Sequence, residues 1–174
     1  TVFASVKKEY EDLCVVCTSP SKTFNLASML ISNIFILGEK MRKKFQHEVD
    51  AAGISQLSAL GIVAAQTAYE KGDEWYHVLL SYVRENIAYV KAYIADHMPG
   101  VNVIDGEGTY LLWLDFRKTG IDPDELDRRI IYDAKLWLDS GKIFGKTGAG
   151  FQRINVAAPR KTVEECLERI RRIL

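Results

Sequence analysis

From Asp73 to Met98 the chain reads "DEWYHVLLSYVRENIAYVKAYIADHM", with neither glycine nor proline. Trp75, Val78, Leu79, Tyr82, Val83, Ile87, Val90 and Ile94 recur at steps of three and four, the spacing of one apolar helix stripe. Asp73, after Gly72, is the expected N-cap. A helix of ~25 residues is about 37 Å long at 1.5 Å per residue. That exceeds most globular helices and predicts an element shared by two domains. The chain therefore divides into residues 1–72, a linking helix over 73–98, and a smaller domain over 99–174.

Upstream, up to about residue 37, the sequence reads as helix end, strand, turn, strand. "LCVVCT" and "SNIFIL" are apolar without alternation, as in a parallel or mixed sheet covered on both faces. Residues 39–97 are helical. Downstream, "GVNVIDGEGTYLLWLDFR" reads as strand, Gly turn, strand, and "GFQRINVAA" as a further strand. "DPDELDRRIIYDA" is a helix with Asp122 as N-cap, Pro123 in the first turn and Glu125 closing a capping box. "TVEECLERIRRIL" is another, boxed by Thr162 and Glu165, with Val163, Cys166, Leu167, Ile170 and Leu174 on its apolar face. Strands and helices in this order give an α/β chain whose small domain is α+β.

The 174 residues carry 23 basic and 23 acidic side chains. That balance lacks the basic surplus of a nucleic-acid footprint. No segment approaches the ~20 apolar residues that cross a bilayer. The start "TVFASVKKEYEDL" lacks both the pattern of a signal peptide and an initiator Met, and is expected to continue an upstream part. Cys14, Cys17 and Cys166 are an odd set, which predicts a reducing compartment and free thiols. "CVVC" matches C-x-x-C, but in a strand its thiols face opposite sides about 10 Å apart. Buried structural thiols are expected, with no metal site. His47, His77 and His97 are scattered over the helical zones, read as surface or half-buried histidines, and receive no role.

Three chemistries compete for the polar motifs. "GKIFGKTGAG" resembles a phosphate-binding P-loop, but Gly141 stands one residue too close to Gly145-Lys146-Thr147 and a strand follows where a helix is needed. Ser19-Pro20-Ser21-Lys22 fits the S-x-x-K of serine acyl-enzymes, yet no S-D-N accompanies it and no long helix begins at the serine. In the third reading Lys22 is itself the nucleophile. A lysine in a tight turn at a sheet edge, beside Thr18, Ser19 and Ser21, can form a Schiff base with an aldehyde cofactor. Burial lowers such an amine's pKa, and small hydroxyls can bind a phosphate without crowding it. On spacing alone, a lysine that snorkels to water from a strand end is the favoured account of the pattern.

"SPSKTFNLAS" resembles the lysine segment of the fold-type I pyridoxal-phosphate (PLP) enzymes, in the aminotransferase class I/II family. "GFQRINVAAPR" resembles that family's carboxylate-binding segment, and "GTYLLWLDFR" and "DSGKIFGKTGAGF" fall between them in the family's order. The wording is closest to the C–S lyase, cystathionine β-lyase-like branch. The resemblance implies the C-terminal part of the PLP-dependent transferase fold: the end of the large-domain sheet, the linking helix and the small domain. It implies that Lys22 forms the Schiff base with PLP and then moves the substrate's Cα proton. Ser19 matches a phosphate-contacting serine. Arg153 would hold the substrate α-carboxylate, and Asn155 would support its strand; Arg160 is the rival, read as a solvated loop residue beside Pro159. Tyr110 is expected in the core.

Leu30 departs from the family, because many of its aminotransferases carry a phosphate-binding Arg eight residues after the lysine. The family's chains are about twice this length, and the other half would carry the groups that tune the cofactor as an electron sink. The expected activity is C–S β-elimination on an amino acid, giving pyruvate, ammonia and a thiol. The alternative is transamination; the alternative of another class is an inert folded fragment without cofactor. A cytoplasmic homodimer acting on a small amino acid is expected.

Overall fold

The computed structural model describes residues 6–174. The chain packs as two compact units that divide between Val78 and Leu79, inside one helix. Among the described residues no helix is long and apolar enough to cross a membrane.

In the first unit a 3₁₀ turn over Lys8–Leu13 leads into β1 (Val16–Thr18), and the lysine turn leads to β2 (Asn33–Phe35). The expected helix end falls partly outside the described residues. The strands pair antiparallel, Val16 opposite Phe35 and Thr18 opposite Asn33. A sheet covered on both faces was expected from their unbroken apolar runs. Among the described residues that cover is missing: Val15, Ile34 and Phe35 are exposed. The buried-thiol expectation fails for the same reason, since Cys17 is exposed and Cys14 half-buried. Neither is in a disulfide.

Helices α1 (Glu39–Ala51) and α2 (Ala59–Lys71) follow, and α3 runs over Asp73–His97. Ser58 caps α2 by accepting the Gly61 N–H. At Gly72 the two helices abut. Its N–H donates to the Ala68 carbonyl and its own carbonyl accepts from Tyr76 N–H. A Cβ there would collide with the Ala68 carbonyl and the Phe24 ring, so only glycine fits. Asp73 is therefore the first helical residue rather than the cap. Its carboxylate still lies at the positive end of the helix dipole. Phe24 stacks on Trp75 at 5.6 Å between ring centroids and tilts against Tyr76 at 6.3 Å, tying the lysine turn to this junction.

The second unit holds a four-stranded antiparallel sheet in the order β3 (Asn102–Val103), β4 (Leu111–Asp115), β6 (Phe151–Asn155), β5 (Asp139–Ser140). Side chains alternate across it. Leu112, Leu114, Gln152 and Ile154 point into the core; Trp113, Phe151 and Arg153 take the other face. Val83, Val90 and Ile94 of α3 and Val163, Leu167 and Ile170 of α5 (Arg160–Arg171) complete that core. The predicted α3 stripe is thus buried only along its later turns; Trp75 and Val78 are exposed.

Two cap expectations change. In α4 (Pro123–Arg128) Asp122 Oδ1 accepts from the Asp124 and Glu125 N–H groups, as predicted. Glu125 does not close a box: its carboxylate goes to Arg128 and Arg129, which pull its pKa to about 2. Helix α5 starts at Arg160, two residues before the predicted cap, with Pro159 as N-cap and no side-chain cap bond. Thr162 lies inside the helix, Glu165 pairs with Arg169, and Leu174 is exposed while Ile173 packs on the core.

Asn86 is fully buried on α3 and joins three segments. Its amide donates to the carbonyls of Val156 (2.8 Å) and Ala158 (3.0 Å), and its Oδ1 accepts from Arg160 Nε (2.7 Å). Replacing it by alanine strands those groups, so Asn86→Ala is expected to lower unfolding free energy in urea by about 2–4 kcal/mol. An unchanged denaturation midpoint would contradict the arrangement.

Candidate functional site

Register on the open sheet face decides what surrounds Arg153. Trp113 of β4 pairs with Arg153 of β6, and Arg153 pairs in turn with Asp139 of β5. Directly opposed residues in neighbouring strands have side chains on the same face. Trp113, Arg153 and Asp139 therefore form one row across three strands. Arg153 Nε and Nη2 both donate to Asp139 Oδ2, at 3.0 and 2.6 Å. The guanidinium carbon lies 4.5 Å from the Phe144 ring centroid and 5.9 Å from that of Trp113. Cations are attracted to those π faces. The side chain retains one quarter of its exposure.

Asp127 holds the short strand β5 in place. Its carboxylate accepts from Ser140 Oγ (3.0 Å), Gln152 Nε2 (2.6 Å) and Lys142 Nζ (2.6 Å). Beyond β5 the "GKIFGKTG" segment makes two 3₁₀ turns, Gly141–Phe144 and Lys146–Gly148, and then enters β6. No helix follows it, so it lacks the helix N-terminus that a P-loop aims at phosphate. Those turns carry Phe144 to the face of Arg153. A Cβ on Gly141 would meet the Gly148 carbonyl, so the close approach of the turns requires glycine.

Arg153 lines a cavity of about 380 Å³ together with Trp137, Asp139, Thr162, Cys166 and Arg169. Asn155 points its Oδ1 at the Ala157 N–H (2.9 Å) and so shapes the chain leaving β6. Arg160 is not the solvated loop residue expected. It opens α5, donates to Asn86, and lies over the Tyr89 ring at 4.6 Å. Tyr110 packs on the core, as expected.

The other candidate residues lie in the first unit. Lys22 sits in a turn closed by Phe24 N–H to Pro20 O and Leu26 N–H to Ser21 O, both 2.9 Å. Its side chain is exposed, not buried as expected, and no hydrogen bond or ion pair to it is found among the described residues. Ser19 Oγ donates to the Ile31 carbonyl (2.7 Å) and accepts from Ser21 N–H (3.1 Å). Its proton is thus committed across the turn; to donate to a phosphate it must leave Ile31. Leu30, in place of the family's arginine, is 89 % exposed at φ 50°. Among the described residues no cluster of three metal-ligating side chains occurs.

Known proteins resemble the chain along its whole length. No family model matches. A cystathionine β-lyase of Bacillus subtilis is 34 % identical over 174 residues, all of this chain and 45 % of that protein. The crystal structure of cystalysin from Treponema denticola, which contains pyridoxal 5'-phosphate, superposes with TM-score 0.95 at 35 % identity, covering 99 % of this chain and 44 % of that one. Over its whole length the chain is similar to part of a cystathionine β-lyase and of a PLP-containing cystalysin. An aspartate aminotransferase of Pyrococcus horikoshii is a more distant relative, 22 % identical over 163 residues, which are 92 % of this chain and 41 % of that protein. The chain spans less than half the length of these relatives.

Asp139, Phe144 and Trp113 were not legible as neighbours of Arg153 in the sequence. Strand β5 is two residues long and carries no periodic signal.

Burial separates the Cys166 thiol at this site from the exposed Cys17 near the lysine turn. Desolvation pushes the Cys166 thiol up to about 11. At pH 8 its thiolate is then about one part in a thousand. Exposed Cys17 is expected to alkylate with iodoacetamide well ahead of Cys166, and peptide mass mapping over time checks the order. Equal rates at both would contradict it.

Proposed function

We propose that this chain is the C-terminal part of a PLP-dependent C–S lyase acting on an amino acid with sulfur on its β-carbon, working as a cytoplasmic homodimer. In that reading the residues up to 72 end the large cofactor domain, the helix links, and the residues from 99 form the small domain. Lys22 holds the cofactor, Ser19 contacts its phosphate, and Arg153 holds the substrate α-carboxylate. One observation carries the Lys22 role: an amine with no partner among the described residues, on a turn pinned by backbone bonds and the Phe24 ring cluster. The groups at that turn suit the cofactor chemically, with a primary amine for its aldehyde and the small hydroxyls of Ser19 and Ser21 for its phosphate.

Bound PLP supplies an electron sink for the pair left when Cα loses its proton. The remaining work falls to side chains of this chain. The Lys22 amine accepts the Cα proton and holds it. Loss of the thiolate from Cβ then completes elimination, and water takes the product to pyruvate and ammonia. Arg153 presents a planar fork that matches a carboxylate, which a lysine ammonium cannot do. Its position on a central strand, between Trp113 and Asp139, limits the rotamers it can adopt. The aminotransferase reading uses the same residues and differs in where the proton returns.

In the full-length enzyme Lys22→Ala is expected to lower turnover at least about a thousandfold, as loss of a covalent and proton-moving group does. Retained activity would remove Lys22 from the chemistry. With cystathionine as substrate, stoichiometric pyruvate and free thiol are expected without any added keto acid. Turnover that depends on a keto acid, with amino-group transfer to it, would favour the aminotransferase. If the purified segment takes up no PLP while the full-length protein does, the segment by itself is the inert fragment.

A further inference from the structure

Asp139 is the one acidic group that Arg153 touches among the described residues, and the way it does so is selective. A guanidinium has five N–H donors and two edges that fit a carboxylate. Asp139 Oδ2 takes the side edge, made of Nε and Nη2. The end edge, made of Nη1 and the second Nη2 hydrogen, has no partner among the described residues. Phe144 covers one face at 4.5 Å. The bland account is a cross-strand ion pair that adds a little stability. The side-chain exposures of 25 % for Arg153 and 43 % for Asp139 make that contribution small. The position of Asp139 is itself secured, because the next residue, Ser140, and the facing Gln152 are both tied to Asp127. An anchored carboxylate that occupies only the side edge holds the guanidinium while leaving the end edge free, among the described residues, for another carboxylate.

We propose that Asp139 is the positioning residue for Arg153: it occupies the side edge of the guanidinium and presents the end edge to the α-carboxylate of an amino-acid substrate. This rests on the reading of Arg153 as the carboxylate-binding residue. A single Oδ2 acceptor suffices for the task, so an amide oxygen at the same place performs it too, and the negative charge is secondary.

Steady-state kinetics on the full-length PLP-loaded enzyme test this, with PLP content checked by absorbance. Asp139→Ala is expected to raise KM for the amino acid at least about tenfold with kcat within about threefold, the pattern of lost uniform binding. Asp139→Asn keeps the acceptor and is expected within about threefold of the parent in KM. Inhibition by the matching amine that lacks the carboxylate is expected to be unchanged in both variants, which a general disturbance of the fold would not allow. If Asp139→Ala does not accumulate as folded protein, Asp139→Ser carries the same expectation. An unchanged or lowered KM in Asp139→Ala, or an equal rise in Asp139→Asn, overturns the proposal. Arg153→Lys separates the two layers: if it leaves KM unchanged, the carboxylate reading of Arg153 fails; if it raises KM and Asp139→Ala does not, only the role of Asp139 fails.

Discussion

The antiparallel register of β4, β6 and β5 is the constraint on which the second unit's chemistry depends. Pairing Trp113 with Arg153 and Arg153 with Asp139 puts a ring, a cation and an anion in one row. A slip of one residue on β6 would turn Arg153 into the core and bring Gln152 or Ile154 out. The core opposes that slip, because Leu112, Leu114 and Ile154 are buried against α3 and α5. Asn86 fixes the chain just beyond β6 by gripping the Val156 and Ala158 carbonyls. The hydrophobic face of the sheet thus determines where the polar face places its guanidinium.

A different kind of restraint acts on Lys22. Its turn is held by two backbone bonds, by Ser19 reaching to Ile31, and by Phe24 against Trp75 and Tyr76. The backbone is fixed while the amine at its tip makes no bond among the described residues. The turn fixes where the Lys22 side chain is attached, while its flexible four-carbon stem leaves the unbonded amine available to a partner. Ser19 shows the compromise: the hydroxyl that closes the turn is the one read as a phosphate contact.

Much of this was legible in the sequence, and the failures have physical causes. The long helix, the order of strands after it and the Asp122 cap follow from local signals of period, turn and cap. Lys22 and Arg153 stood out because their surrounding words resemble a family. Asp139 and Phe144 did not, since a two-residue strand and a pair of 3₁₀ turns leave no periodic trace. The start of α5 was misplaced because Thr162 and Glu165 fit a box that Pro159 pre-empts by starting the helix at Arg160. Burial around β1 and β2 was overestimated because apolar runs report what a strand can bury, whereas the described residues supply little to bury it against. Cys17 and Lys22 are exposed for that reason.

Lys22 as the point where the cofactor is held is the claim on which the proposed chemistry turns. The direct measurement is to load the full-length protein with PLP, reduce it with borohydride, digest it, and locate the pyridoxyl mass by peptide mapping. A single modified lysine is expected, in the peptide containing "SPSKTF". Reduction that labels other lysines while the Lys22 peptide stays unmodified would contradict it.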